Sequence, residues 1–116
     1  MHRSIIAVNN IPMTIRELLS ENRIEIGAAL YSKEEALDEL IRLQKKSGMI
    51  HNPGALKREI IQREKAGNSA AGCRIAIPDV AHSGSAKTAI SVITIKDGVD
   101  YGAPDKRKVK LIFMIV

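Results

Sequence analysis

Thr88-Ala89-Ile90-Ser91-Val92-Ile93-Thr94-Ile95 and Val109-Lys110-Leu111-Ile112-Phe113-Met114-Ile115-Val116 are the two stretches on which the fold turns. Both are mostly apolar, and the apolarity is continuous rather than alternating. A strand with one wet face alternates with a period of two, whereas a continuous apolar run belongs to a strand covered on both faces. Asp97-Gly98 predicts the turn after the first strand, and Val99-Asp100-Tyr101-Gly102-Ala103-Pro104-Asp105 an irregular connection to the second. The cover lies upstream. Ser32 with Glu35 three residues later is a capping box, and Ala36, Leu37, Leu40, Ile41 and Gln44 recur at helical spacing until Ser47-Gly48. Asn52 and Pro53 supply a second cap and first helical position, Leu56, Ile60 and Ile61 the apolar stripe. That helix is expected to end near Lys65, before Gly67, with Arg63 in its last turn. Strands with helices on both sides predict a three-layer α/β domain.

Between the second helix and the apolar strands lies Gly67-Asn68-Ser69-Ala70-Ala71-Gly72, read as a small-residue loop, and then Ile75-Ala76-Ile77-Pro78. Proline cannot donate to a sheet ladder, so it halts this short strand and throws Asp79 out at its end. Further upstream, Arg23-Ile24-Glu25-Ile26-Gly27-Ala28 alternates as a half-exposed strand does. Thr14 and Glu17 suggest another capping box, opening a short helix with Ile15, Leu18 and Leu19 buried. Before it, Ile5-Ile6-Ala7-Val8 and the turn signal Asn9-Asn10-Ile11-Pro12 read as a leader or edge segment over residues 1–13, leaving 14–116 as the domain.

A chain of 116 residues suits one domain with a single core. Aromatic residues are 3% of the total, so that core must be built from Ile, Leu, Val and Ala. The single cysteine, Cys73, cannot close an internal disulfide, which agrees with a reducing compartment. No apolar run is long enough to cross a bilayer and the first residues lack a signal-peptide core, so a soluble, cytoplasmic protein without membrane insertion is expected. The apolar run that closes the chain at Val116 would leave a sticky strand bare, which suggests truncation at that end. The net charge of +5 is scattered over Lys45-Lys46, Lys57-Arg58, Arg63 with Lys65, and Lys106-Arg107-Lys108, with no aromatic residues among them to stack on bases. Nucleic-acid binding is therefore not the expected function.

Phosphoryl relay through a side chain needs an exposed nucleophile on a rigid element, a cation or amides for the phosphoryl oxygens, and access for a partner. Asp79 at a strand end, Arg63 at a helix end and the small-residue loop between them offer that geometry. The bland readings are a turn residue after proline for Asp79, a dipole-favouring residue at a helix C-terminus for Arg63, and a solvated loop residue for His82. His2 and His51 have no companions at ligand spacing, so no metal or cofactor is implied.

Taken together, Ile75-Ala76-Ile77-Pro78, Arg63-Glu64, Gly98-Val99-Asp100-Tyr101-Gly102-Ala103 and Val109-Lys110-Leu111-Ile112-Phe113 resemble the fructose/mannitol type of enzyme IIA domain of the bacterial sugar phosphotransferase system. The resemblance implies a three-layer α/β/α sandwich with a mixed central sheet and a helical segment after the last strand. It also implies a phosphocarrier that takes a phosphoryl group from the histidine-containing phosphocarrier protein and delivers it to a cysteine of a IIB component. In that family a histidine directly follows the Ile-Pro pair and an arginine stands beside it. Here Asp79 occupies the acceptor position and Arg63 that of the phosphoryl-oxygen stabiliser, while Arg74 stands where the family has a glycine. Aspartyl phosphates are normally made with a metal ion and an acidic cluster, so impaired transfer is expected, with His82 as a displaced acceptor if its loop bends back. The alternative is a non-catalytic regulatory module that binds relay proteins or a transcriptional regulator. A third reading is an unrelated basic α/β binding module.

Overall fold

A helix needs an apolar stripe and capped ends, and both long helices of the chain have them. In chain order the computed structural model, which describes residues 5–8, 11–82 and 87–116, contains strands β1 (Ile5–Val8) and β2 (Ile11–Thr14), helix α1 (Ile15–Leu18), a 3-10 turn at Glu21–Arg23, and strand β3 (Ile24–Ala28). Helices α2 (Lys33–Lys46) and α3 (Pro53–Ala66) follow, then strands β4 (Ala70–Gly72), β5 (Ile75–Ala76), β6 (Ile90–Val99) and β7 (Val109–Ile115). The Ser32 hydroxyl accepts from the Glu35 amide at 3.0 Å, and the Asn52 side chain accepts from the Ala55 amide at 3.0 Å. All five stripe residues expected for α2 are buried. In α3 the buried set is Leu56, Ile60 and Glu64, a four-residue spacing, and Ile61 turns partly outward.

Five strands form one mixed sheet in the order β3-β6-β7-β5-β4. β6 and β7 are antiparallel neighbours at its centre, β3 runs parallel to β6, and β5 runs parallel to β7. Ile93, Ile95, Ile112 and Met114 pack with Ala36, Leu37, Leu40, Leu56 and Ile60 in the main core beneath α2 and α3. Ile90 and Val92 point to the other face, where Leu18 from α1 covers them and Leu111, Phe113 and Ile115 lie half-buried. Both central strands therefore carry apolar residues on both faces, the pattern read from their continuous apolarity. Among the described residues, α1 is the helix on that second face.

Several local expectations change. Ile11 and Pro12 lie in β2, which pairs with β1 as an antiparallel two-stranded sheet, so the turn signal does not extend past Asn9 and Asn10, which lie outside the described residues. Proline is accepted there because the pair has open edges. The Thr14 and Glu17 side chains also lie outside the described residues, and α1 spans only four residues. Asp97-Gly98 is not a turn between strands: β6 continues to Val99, and a register shift between Thr94 and Val99 is carried by Gly98 at φ +75°. A bulge inserts extra residues without ending the pairing. The supposed loop before Ile75 contains β4, which forms a hairpin with β5 across Cys73 and Arg74, both at positive φ.

Candidate functional site

The site is built where α3 ends and where β5 is cut short. Arg63 lies in the last turn of α3, its carbonyl accepting from the Gly67 amide at 3.1 Å. Past Pro78 the backbone stays beside β7: the Ile115 amide donates to the Pro78 carbonyl at 2.9 Å and the Val80 amide to the Ile115 carbonyl at 3.0 Å. These bonds hold Asp79 in a single parallel bridge to Ile115. Successive residues of a strand direct their backbone groups to opposite sides, so the Asp79 amide points away from β7. Ile77, two residues earlier, points the same way and donates to the Ser69 carbonyl at 3.1 Å.

This arrangement brings Arg63 and Asp79 together. Arg63 Nη2 is 3.7 Å from Asp79 Oδ1, within reach of charge attraction but beyond a hydrogen bond. The side chains are 61% and 57% exposed, so the pair is a solvent-screened one worth about 0–1 kcal/mol. They stand on a cleft of about 340 Å³ lined also by Glu64, Gly67, Asn68, Ser69 and Ile77. Ile77 is 42% exposed, an apolar contact surface beside the charged pair.

The loop behaves differently from its expected role as an amide cradle. The Gly67 amide donates to Arg63, that of Ser69 to Glu64 Oε1 at 3.2 Å, and that of Ala70 to Asn68 Oδ1 at 2.8 Å. These donors hold the loop in shape, and from Gly67 to Ala70 only the Asn68 amide has no acceptor among the described residues.

Glu64, next to Arg63 in sequence, organises the floor. It is 9% exposed and pairs with Lys33 Nζ of α2 at 3.0 Å. The same ammonium lies 4.3 Å from the centre of the Tyr101 ring, and the Tyr101 hydroxyl meets the Ser69 hydroxyl at 2.9 Å. Burial and the nearby Glu64 raise the Tyr101 phenol above its ordinary value, against the hydrogen bond from Ser69. Asn68 Nδ2 donates to the Tyr101 carbonyl at 2.8 Å, and a Cβ on Gly102 (φ +77°) would lie 3.2 Å from that nitrogen. The Val99-Asp100-Tyr101-Gly102-Ala103 turn thus buttresses the loop that borders Arg63. Only the four-residue spacing Leu56, Ile60, Glu64 signals in sequence that this glutamate turns inward.

His82 is neither solvated nor turned toward the cleft mouth. Its side chain is 4% exposed, with Nδ1 2.8 Å from Glu59 Oε2 on α3. Among the described residues no helix is long and apolar enough to cross a membrane, and no group of three His, Cys, Asp or Glu side chains converges as a metal site.

The family described as phosphoenolpyruvate-dependent sugar phosphotransferase system, EIIA 2, matches residues 17–116. The PTS system fructose-specific EIIABC component of Bacillus subtilis (strain 168) is 34% identical over 103 residues, 89% of this chain, and the chain spans 16% of that relative's length. Among solved structures, nitrogen regulatory protein IIA-Ntr from Neisseria meningitidis superposes with a TM-score of 0.80 at 27% identity, covering 87% of this chain and 68% of that one. IIA mannitol from Escherichia coli gives 0.73 at 25% identity, covering 84% and 70%, and has also been solved in complex with phosphorylated enzyme IIB of the mannitol system.

Proposed function

The chain belongs to the EIIA 2 family of the phosphoenolpyruvate-dependent sugar phosphotransferase system, and from that membership we propose that it is a fructose/mannitol-class enzyme IIA-like component whose acceptor position is filled by Asp79 and does not relay a phosphoryl group by the usual route. The observation that carries this reading is the 3.7 Å approach of Arg63 Nη2 to Asp79 Oδ1 on an accessible cleft. In this reading Arg63 is the partner for phosphoryl oxygens, and the group facing it is a carboxylate instead of an imidazole.

The chemistry follows from the exchange. An imidazole accepts a phosphoryl group through a nitrogen lone pair and remains a good leaving group, so it can pass the group onward. An aspartate would have to form an acyl phosphate, which calls for a cation and further carboxylates to hold it. The other carboxylate of the cleft, Glu64, is turned to Lys33 and Ser69. Aspartate instead sets a permanent negative charge against Arg63, a weak and shorter-reaching likeness of a phosphorylated side chain.

In this reading the domain occupies residues 14–116, works in the cytoplasm, and keeps the docking surface for the histidine-containing phosphocarrier protein and for a IIB component around Ile77 and the cleft. The fixed charge, and the likeness to a nitrogen regulatory protein, also support a second reading: a regulatory module that binds relay proteins or a transcriptional regulator without transferring phosphate.

The test is labelling with phosphoenolpyruvate carrying radioactive phosphate and the general relay enzymes, on the unmodified chain, Asp79→His and His82→Ala. The unmodified chain should stay unlabelled and Asp79→His should label. Labelling of the unmodified chain that His82→Ala abolishes would overturn the assignment of Asp79.

A further inference from the structure

Two side chains of the segment after Pro78 reach α3. Asp79 meets Arg63, and His82 meets Glu59. The residues are three apart on the segment and four apart on the helix, so the contacts form an antiparallel ladder spaced by one helical turn. The rungs differ in strength. The Asp79–Arg63 contact is exposed and 3.7 Å long, whereas Nδ1 of His82 lies 2.8 Å from Glu59 Oε2 and the His82 side chain is 4% exposed. A short bond to a charged group, with the imidazole out of water though the Glu59 side chain is 39% exposed, outweighs a screened ion pair at the limit of contact.

The chemistry of the imidazole fixes its role further. A carboxylate only accepts, so Nδ1 carries the proton and donates it to Glu59, which leaves the lone pair of a neutral ring on Nε2. That nitrogen is enclosed and has no hydrogen-bond partner among the described residues. A phosphoryl acceptor must present its lone pair to an incoming donor, and this one is turned into the protein. Meanwhile the other flank of the segment is held by the Val80 amide on the Ile115 carbonyl.

We propose that His82 is a positioning residue: its bond to Glu59 fastens residues 79–82 against α3 and so sets the separation between the side chain at position 79 and Arg63. The latch itself stands on contacts alone, and its consequence for phosphoryl transfer rests on the function proposed above.

The test has two arms on the full chain. In the first, hydrogen exchange of the Val80 amide is followed in His82→Ala, Glu59→Ala, the double variant and His82→Asn, whose side-chain amide can donate from nearly the place of Nδ1. Exchange should quicken about tenfold in both single variants, as expected for loss of a hydrogen bond to a charged group, with no further gain in the double variant and near-recovery in His82→Asn. In the second arm, adding His82→Ala to Asp79→His should lower the maximal labelling rate without changing its dependence on phosphoryl-donor concentration, and His82→Asn should restore it. Unchanged Val80 exchange in both single variants, or fully additive effects in the double variant, would overturn the latch. If Asp79→His fails to label, the functional reading falls and the exchange arm alone decides the latch; if it labels equally fast with and without His82→Ala, the latch has no bearing on transfer and the proposal fails.

Discussion

Arg74 holds a φ of +66° directly after Cys73 at +56°, so both central residues of the turn between β4 and β5 are left-handed. A two-residue hairpin turn of this hand demands positive φ at both positions and is ordinarily made by glycine or asparagine, because a Cβ there crowds the following carbonyl. The strain is offset by bonds to the turn: the Asp105 carboxylate accepts from the Cys73 amide at 3.0 Å, and the Arg74 carbonyl accepts from the Lys110 amide at 2.8 Å. The bond from the Arg107 amide, supported by that from the Cys73 amide, holds the Asp105 carboxyl below its ordinary value. Arg74→Gly should therefore stabilise the fold by about 1 kcal/mol, seen as a higher urea midpoint with an unchanged denaturant slope.

At the scale of elements, the site is a junction of ends. α3 stops at Ala66, β5 stops at Ala76 two residues before Pro78, and the charged pair faces across the gap between them. Its geometry depends on how firmly α2 and α3 are seated, since Lys33 of α2 holds Glu64 at the floor. Removing the cap of α2 by Ser32→Ala should cost about 1 kcal/mol and reduce thermal stability. The labelling rate of an Asp79→His chain should be unchanged below its melting transition, because the cap lies at the helix end and Lys33 still has its packing. Circular dichroism melting beside single-turnover labelling would check both halves of this expectation.

For the whole molecule, pH reports on the buried network around Tyr101. The folded state raises the Tyr101 phenol above its ordinary value of 10.0, chiefly by burial. The proton is thus held more tightly in the folded chain, and the stability this gives is fully present below about pH 10 and lost as pH rises through the folded value. The thermal midpoint should fall on going from about pH 9 to about pH 11, and Tyr101→Phe should flatten that fall relative to the parent. The sequence by itself determined the features that short-range physics controls: the capped, periodic helices 33–46 and 53–66, the doubly apolar central strands, the placing of Arg63 in the last turn of its helix, and that of Asp79 just past Pro78. Three features were decided only in tertiary structure. β4 exists because β5 beside it is paired to β7 and Asp105 grips the turn. Gly98 becomes a bulge because Val99 finds Val109 across the sheet. Glu64 and His82 are buried because Lys33 and Glu59 wait opposite them on other segments. A local pattern fixes which backbone conformation is cheapest, but whether a polar side chain is buried depends on which distant groups arrive to satisfy it.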